Sequence, residues 1–89
     1  VSQAAKDVDV GTFYMHKGDY GAAISRLKEA VQIDPNYGKA RLLLAESYEK
    51  QGDHTHALET YREYLKVFPH ARDDQKVRKK IAEIERKRE

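Results

Sequence analysis

The sequence predicts an all-α, right-handed α-solenoid made of two helical hairpins and a C-terminal capping helix. Three observations carry this prediction. The chain repeats itself at an offset of 34 residues: Lys17-Gly18-Asp19-Tyr20 returns as Gln51-Gly52-Asp53-His54, and Tyr14, Ala23, Ile24, Ile33 and Pro35 return as Tyr48, Ala57, Leu58, Val67 and Pro69. Apolar residues recur at helical spacing through each unit. The Gly-Asp and Pro breaks fall at matching places and leave loops so short that consecutive helices must run antiparallel. Self-similarity at such a period marks units that bury their apolar faces against their neighbours.

The first helix spans about residues 3–17, with Val10, Gly11 and Tyr14 on one face. Gly18-Asp19 breaks it, and the Asp19 carboxylate is placed to cap the second helix. That helix, about 20–33, carries Ala23, Ile24, Leu27, Ala30 and Val31 as its stripe, and Asp34-Pro35-Asn36 ends it. The third helix, about 37–51, repeats the pattern with Leu44, Ala45 and Tyr48. The fourth, about 54–68, uses Ala57, Leu58, Tyr61, Tyr64 and Leu65 and closes at Pro69. The last, about 74–88, has only the narrow stripe Val77, Ile81 and Ile84, with charged or small residues elsewhere. This is the composition of a solvating cap on a stacked array.

At 89 residues the chain is one small domain, and it buries only roughly 60–65% of its unfolded surface. Charged residues make up 36% of it, but the net charge is only +2, so the whole chain is steered towards neither nucleic acid nor membrane. The excess is local. Residues 1–71 hold nine Lys/Arg and ten Asp/Glu, whereas residues 72–89 hold eight and five. The absence of cysteine excludes disulfides and thiolate metal sites. No apolar run approaches the roughly 18 residues of a membrane span. A start at Val1 rather than Met reads as an excised domain or a processed product.

The two units resemble the tetratricopeptide repeat, whose pattern is W-x2-L-G-x2-Y, A-x3-F and P over ~34 residues. The first unit, about 4–37, matches through Val10-Gly11-x2-Tyr14, Ala23-x3-Leu27 and Pro35. The second, about 38–71, matches through Leu44-Ala45-x2-Tyr48, Ala57-x3-Tyr61 and Pro69. Asp7 and Arg41 replace the opening aromatic, so both positions are expected nearer to solvent. Tyr64 stands where the first unit has Ala30, and it is expected to fill space at the end of the array or to push the cap outward. Two units are fewer than the ~3 that such arrays usually need, which makes the cap essential to folding and leaves a longer parent chain or self-association open. Val10-Gly11-x-Phe13-Tyr14, together with Gly18-Asp19-Tyr20, Ala22-Ala23-Ile24 and Arg26, is also similar to the opening repeat of bacterial envelope lipoproteins that assist outer-membrane barrel assembly. That similarity implies the periplasm or cell envelope, with the cytoplasm as the alternative.

The family resemblance implies a non-catalytic protein-binding module, in a scaffold or assembly role, that presents a concave groove to a peptide or helix of another protein. Carried over by position, the groove residues are Val8, Thr12, Met15 and His16 from the first helix, and Lys39, Leu42, Leu43, Glu46, Glu49 and Lys50 from the third. Leu42-Leu43-Leu44 covers roughly 200° of helix circumference, more than one buried face needs. Leu43, with Leu42, is therefore expected to floor the groove, with Met15 as an adaptable contact. The competing reading packs these leucines between neighbouring helices. Val8, Thr12 and Leu43 stand where some family members place a Lys/Asn clamp for a terminal carboxylate, and these side chains cannot form one.

Other chemistry finds little support. His54-x-His56 places two rings at diverging angles near a helix start, so no metal ligand set or cofactor site is expected. No phosphate loop, nucleophile elbow or zinc motif occurs, and Asp73-Asp74 reads as a helix start. The terminal helix offers an alternative as a nucleic-acid or anionic-surface contact through Arg72, Lys76, Arg78, Lys79, Lys80, Arg86, Lys87 and Arg88. Against it, Glu83, Glu85 and Glu89 interrupt the patch, and no aromatic follows Phe68 to stack on bases. Self-association through Val77, Ile81 and Ile84, or by exchange of the cap between chains, is a further alternative.

Overall fold

The computed structural model describes residues 2–88. Five helices, each of 14 residues, follow one another: α1 (Gln3–His16), α2 (Tyr20–Ile33), α3 (Gly38–Gln51), α4 (His54–Val67) and α5 (Asp74–Lys87). No strand occurs among the described residues. Each helix packs on the next, and α3 also touches α1, giving a slab of 39 × 29 × 17 Å. The fold is an all-helical repeat array of two hairpins followed by a fifth helix. No helix of the described residues is long and apolar enough to cross a membrane.

The repeated breaks have a repeated chemistry. Gly18 and Gly52 sit at φ 77° and 88°, a left-handed conformation that glycine adopts without a Cβ penalty. There the Asp19 and Asp53 amides each donate 2.9 Å back to the carbonyls of Tyr14 and Tyr48. The same two aspartates then accept from the amides of Ala22 and His56, each at 3.1 Å, and so cap the following helices. Bonding from the His56 amide also holds the Asp53 carboxyl below its ordinary range.

Two apolar clusters hold the array together. The first joins α1, α2 and α3 through Ala4, Val8, Ala23, Ile24, Leu27, Ala30, Ala40 and Leu44. The second joins α3, α4 and α5 through Ala45, Ala57, Leu58, Tyr61, Tyr64, Val77 and Ile84. Gly11 is required at the α1–α2 crossing, where a Cβ would lie 2.8 Å from Leu27 Cγ.

Two expectations need correction. Asp7 is fully buried instead of lying near solvent, because Arg26 of the facing helix reaches its Oδ1 at 3.1 Å. Its counterpart Arg41 keeps part of its surface in solvent, with its Nε donating to the Pro35 carbonyl at 3.2 Å. The stripe of α5 is not an exposed association surface: Val77 and Ile84 are buried in the second cluster and Ile81 packs against it.

Tyr64 fills space and also ties α4 to the start of α5. Its ring packs beside Phe68 at 5.2 Å, and its hydroxyl donates to Asp73 Oδ1 at 2.7 Å, across the loop that leads to α5. Burial, then the bond to Asp73, pushes the phenol up to about 12. Tyr64→Phe is expected to lower stability by about 1 kcal/mol, the typical worth of such a bond. Urea unfolding of the two proteins side by side measures it.

Candidate binding groove

Because α3 and α5 are separated by α4, a gap opens between them. Their facing sides form a cleft of about 100 Å³ lined by Leu42, Glu46, Tyr61, Asp73, Lys76, Val77 and Lys80. Leu42, Tyr61 and Val77 give it an apolar floor. Glu49 braces one end, accepting from the Tyr61 hydroxyl at 2.8 Å and from Lys80 Nζ at 3.4 Å. Burial, with the Glu49 hydrogen bond second, drives the Tyr61 phenol far up, so it stays protonated and donating. Asp73 is engaged by Tyr64. Glu46 and Lys76 have no ion-pair partner among the described residues and remain on the rim with opposite charges.

The candidates from the sequence are divided by this geometry. Leu42 and Glu46 line the cleft. Leu43 turns the other way and packs against the first cluster, as does half-buried Met15. Val8 must be withdrawn as a contact residue: it is 2% exposed, inside the α1–α2–α3 core. Thr12 is half-buried and spends its hydroxyl on its own helix, donating to the Val8 carbonyl at 2.8 Å. His16, Lys39 and Lys50 are exposed at helix ends, outside the cleft lining.

Asp73, Lys76 and Lys80 were not among the expected groove residues, yet the signal for them was present. Adding the 34-residue offset to Lys39, Leu42 and Glu46 gives these three positions. Helix α5 thus presents to the cleft the positions that a first hairpin helix presents.

An open hollow of about 340 Å³ lies between α2 and α4, lined in part by Val31, Leu44, Tyr48 and His56. The His56 ring stacks on Tyr48 at 5.1 Å, and Nδ1 lies 2.6 Å from Asp53 Oδ2. No group of three or more potential metal ligands occurs among the described residues. The charges of α5 are partly engaged, with Lys80 on Glu49, Glu85 on Arg62 and Arg88 on the Thr55 hydroxyl.

No curated protein matches the chain. A family model, the tetratricopeptide repeat, matches residues 14–84, which span both Gly-Asp turns and most of α5. With two hairpins repeating at the family's spacing and that match covering most of its length, the chain belongs to the tetratricopeptide repeat family.

Proposed function

We propose that this chain holds a segment of another protein in the cleft between α3 and α5. Tetratricopeptide repeats are generally protein-interaction modules and typically non-catalytic. The observation that carries the finer reading is the pairing of an apolar floor with unpaired rim charges of both signs, at Glu46 and Lys76. An apolar side chain of the partner seats on half-buried Leu42, displacing water from surface that the fold leaves half-covered. The rim charges fix the direction of the bound segment, and Lys39 and Lys50 extend the contact beyond the cleft. Residues 1–89 act in this reading as one unit, because the cleft needs the second hairpin and α5 together.

Selection from a random peptide library on the native chain tests the reading, with Lys76→Glu and Leu42→Arg as counter-targets and their helicity checked. Peptides that shift the amide resonances around Leu42 and Val77, and bind each folded variant at least about tenfold more weakly, are the expected result (about 1.4 kcal/mol or more). Peptides that bind all three proteins equally would remove the cleft from consideration.

A further inference from the structure

Phe13 is 54% exposed, the more open of the two large apolar side chains left in solvent among the described residues. Helix α1 buries Ala4, Asp7, Val8 and Gly11, and at about 100° per residue Phe13 lies diametrically opposite that face. Exposed Lys6, Asp9 and Lys17 share the open face with it, and half-buried Val10 borders it. Within the chain its ring has only partial cover: Tyr14 meets it edge-on at 5.5 Å, and Lys17 Nζ lies 5.3 Å from its centroid. A lone apolar residue on a surface is ordinary. What sets this one apart is the charge around it. Asp9 stands four residues before Phe13 and Lys17 four residues after, and neither has an ion-pair partner among the described residues. Lys17 keeps a right-handed helical backbone as the C-cap, so the face runs unbroken through all three.

A face with an acid and a base equidistant from an apolar centre is complementary to itself when turned end for end. We propose that two copies of this chain pair through α1, antiparallel about a two-fold axis at Phe13, each Asp9 meeting the partner's Lys17. The two phenyl rings pack together at the axis, and each ion pair closes about 6 Å to one side of it, roughly one helical turn. The same register sets Lys6 beside the partner's Asp19 and Tyr20, so no two cations stand directly opposite. Parallel pairing would instead set aspartate on aspartate and lysine on lysine. Because the paired faces are the same patch on both chains, association stops at two. Two helical turns a side bury less than the roughly 1,200 Å² of a stable complex, so the dimer is weak, with Kd about 0.1–1 mM. None of these residues lines the α3–α5 cleft, and both clefts of the dimer stay open.

Sedimentation equilibrium at low salt tests the pairing with two charge reversals, Asp9→Lys and Lys17→Asp, each checked for native helicity. The native chain is expected to dimerise, with amide shifts at Asp9, Phe13 and Lys17 that grow with concentration. Each variant alone sets like charges together at both ends of the interface, and should dimerise at least about tenfold more weakly. Mixed in equal amounts, the two should regain native association, because every lysine then faces an aspartate. Phe13→Ser should weaken the native dimer by a similar factor. A native chain that stays monomeric to millimolar concentration, or a mixture no more associated than its separate components, would overturn the pairing.

Discussion

Leu27→Ala is expected to cost about 3 kcal/mol, a large share of the roughly 5–10 kcal/mol available to a domain of this size. Leu27 is fully buried, and its side chain occupies the space that a Cβ on Gly11 would take. Removing it opens a cavity where α1 and α2 approach most closely, and a backbone crossing cannot collapse to fill it. The reciprocal change crowds the same point. A methyl at Gly11 would sit 2.8 Å from Leu27 Cγ, so Gly11→Ala gains helix propensity of up to about 1 kcal/mol but is overpacked by more. The double variant is the informative one. With Leu27 shortened, the Gly11 methyl enters the vacated space, so the two losses should fall short of adding by about 1 kcal/mol or more. Urea unfolding of all four proteins measures this coupling. Strict additivity would mean that Leu27 does not occupy the space above Gly11, and the account of that glycine would fail.

How much was legible in the sequence follows from where each signal resides. The helices and their ends were readable because their causes are local: Gly18 and Gly52 take positive φ, and Asp19 and Asp53 cap within three residues. Burial along α1 was less legible. The stripe expected from Val10, Gly11 and Tyr14 is in fact centred on Ala4, Asp7, Val8 and Gly11, which took Val8 out of any groove. The error traces to Asp7, because a pattern of apolar residues treats a carboxylate as a solvent-facing position. Its partner Arg26 lies on another helix, so only the folded chain brings the two charges together. The three adjacent leucines show a different limit. As the central helix of the array, α3 has neighbours on several sides, and Leu42 serves the second cluster while Leu43 and Leu44 serve the first. Periodicity measures one buried face and cannot divide a helix among several. Half of the cleft was missed because the charges of α5 hid its relation to α3, even though the 34-residue offset continues into it.

Arg26→Ala is expected to destabilise the fold by about 3 kcal/mol at pH 7, with the loss shrinking as pH falls. Breaking a buried ion pair from one side typically costs about 3–5 kcal/mol, because a charge is left in a medium that cannot solvate it. The lower figure applies here, since the Arg26 side chain is 41% exposed and water can partly replace it, whereas the Asp7 side chain is 0% exposed. The pH dependence identifies the cause. Without the guanidinium, the buried Asp7 carboxylate is left with no countercharge, in surroundings that disfavour the charged form. Stability lost at neutral pH should then return in acid, as that charge is removed. If Arg26 acted mainly by covering apolar surface with its methylene stem, the loss would be the same at pH 4 and pH 7. A second variant separates charge from packing. Replacing both partners together, Asp7→Leu with Arg26→Met, removes the desolvation cost and the attraction at once, and is expected to be neutral or stabilising at pH 7. A double variant as unstable as Arg26→Ala alone would show that shape, rather than charge, makes the pair necessary at this crossing of α1 and α2.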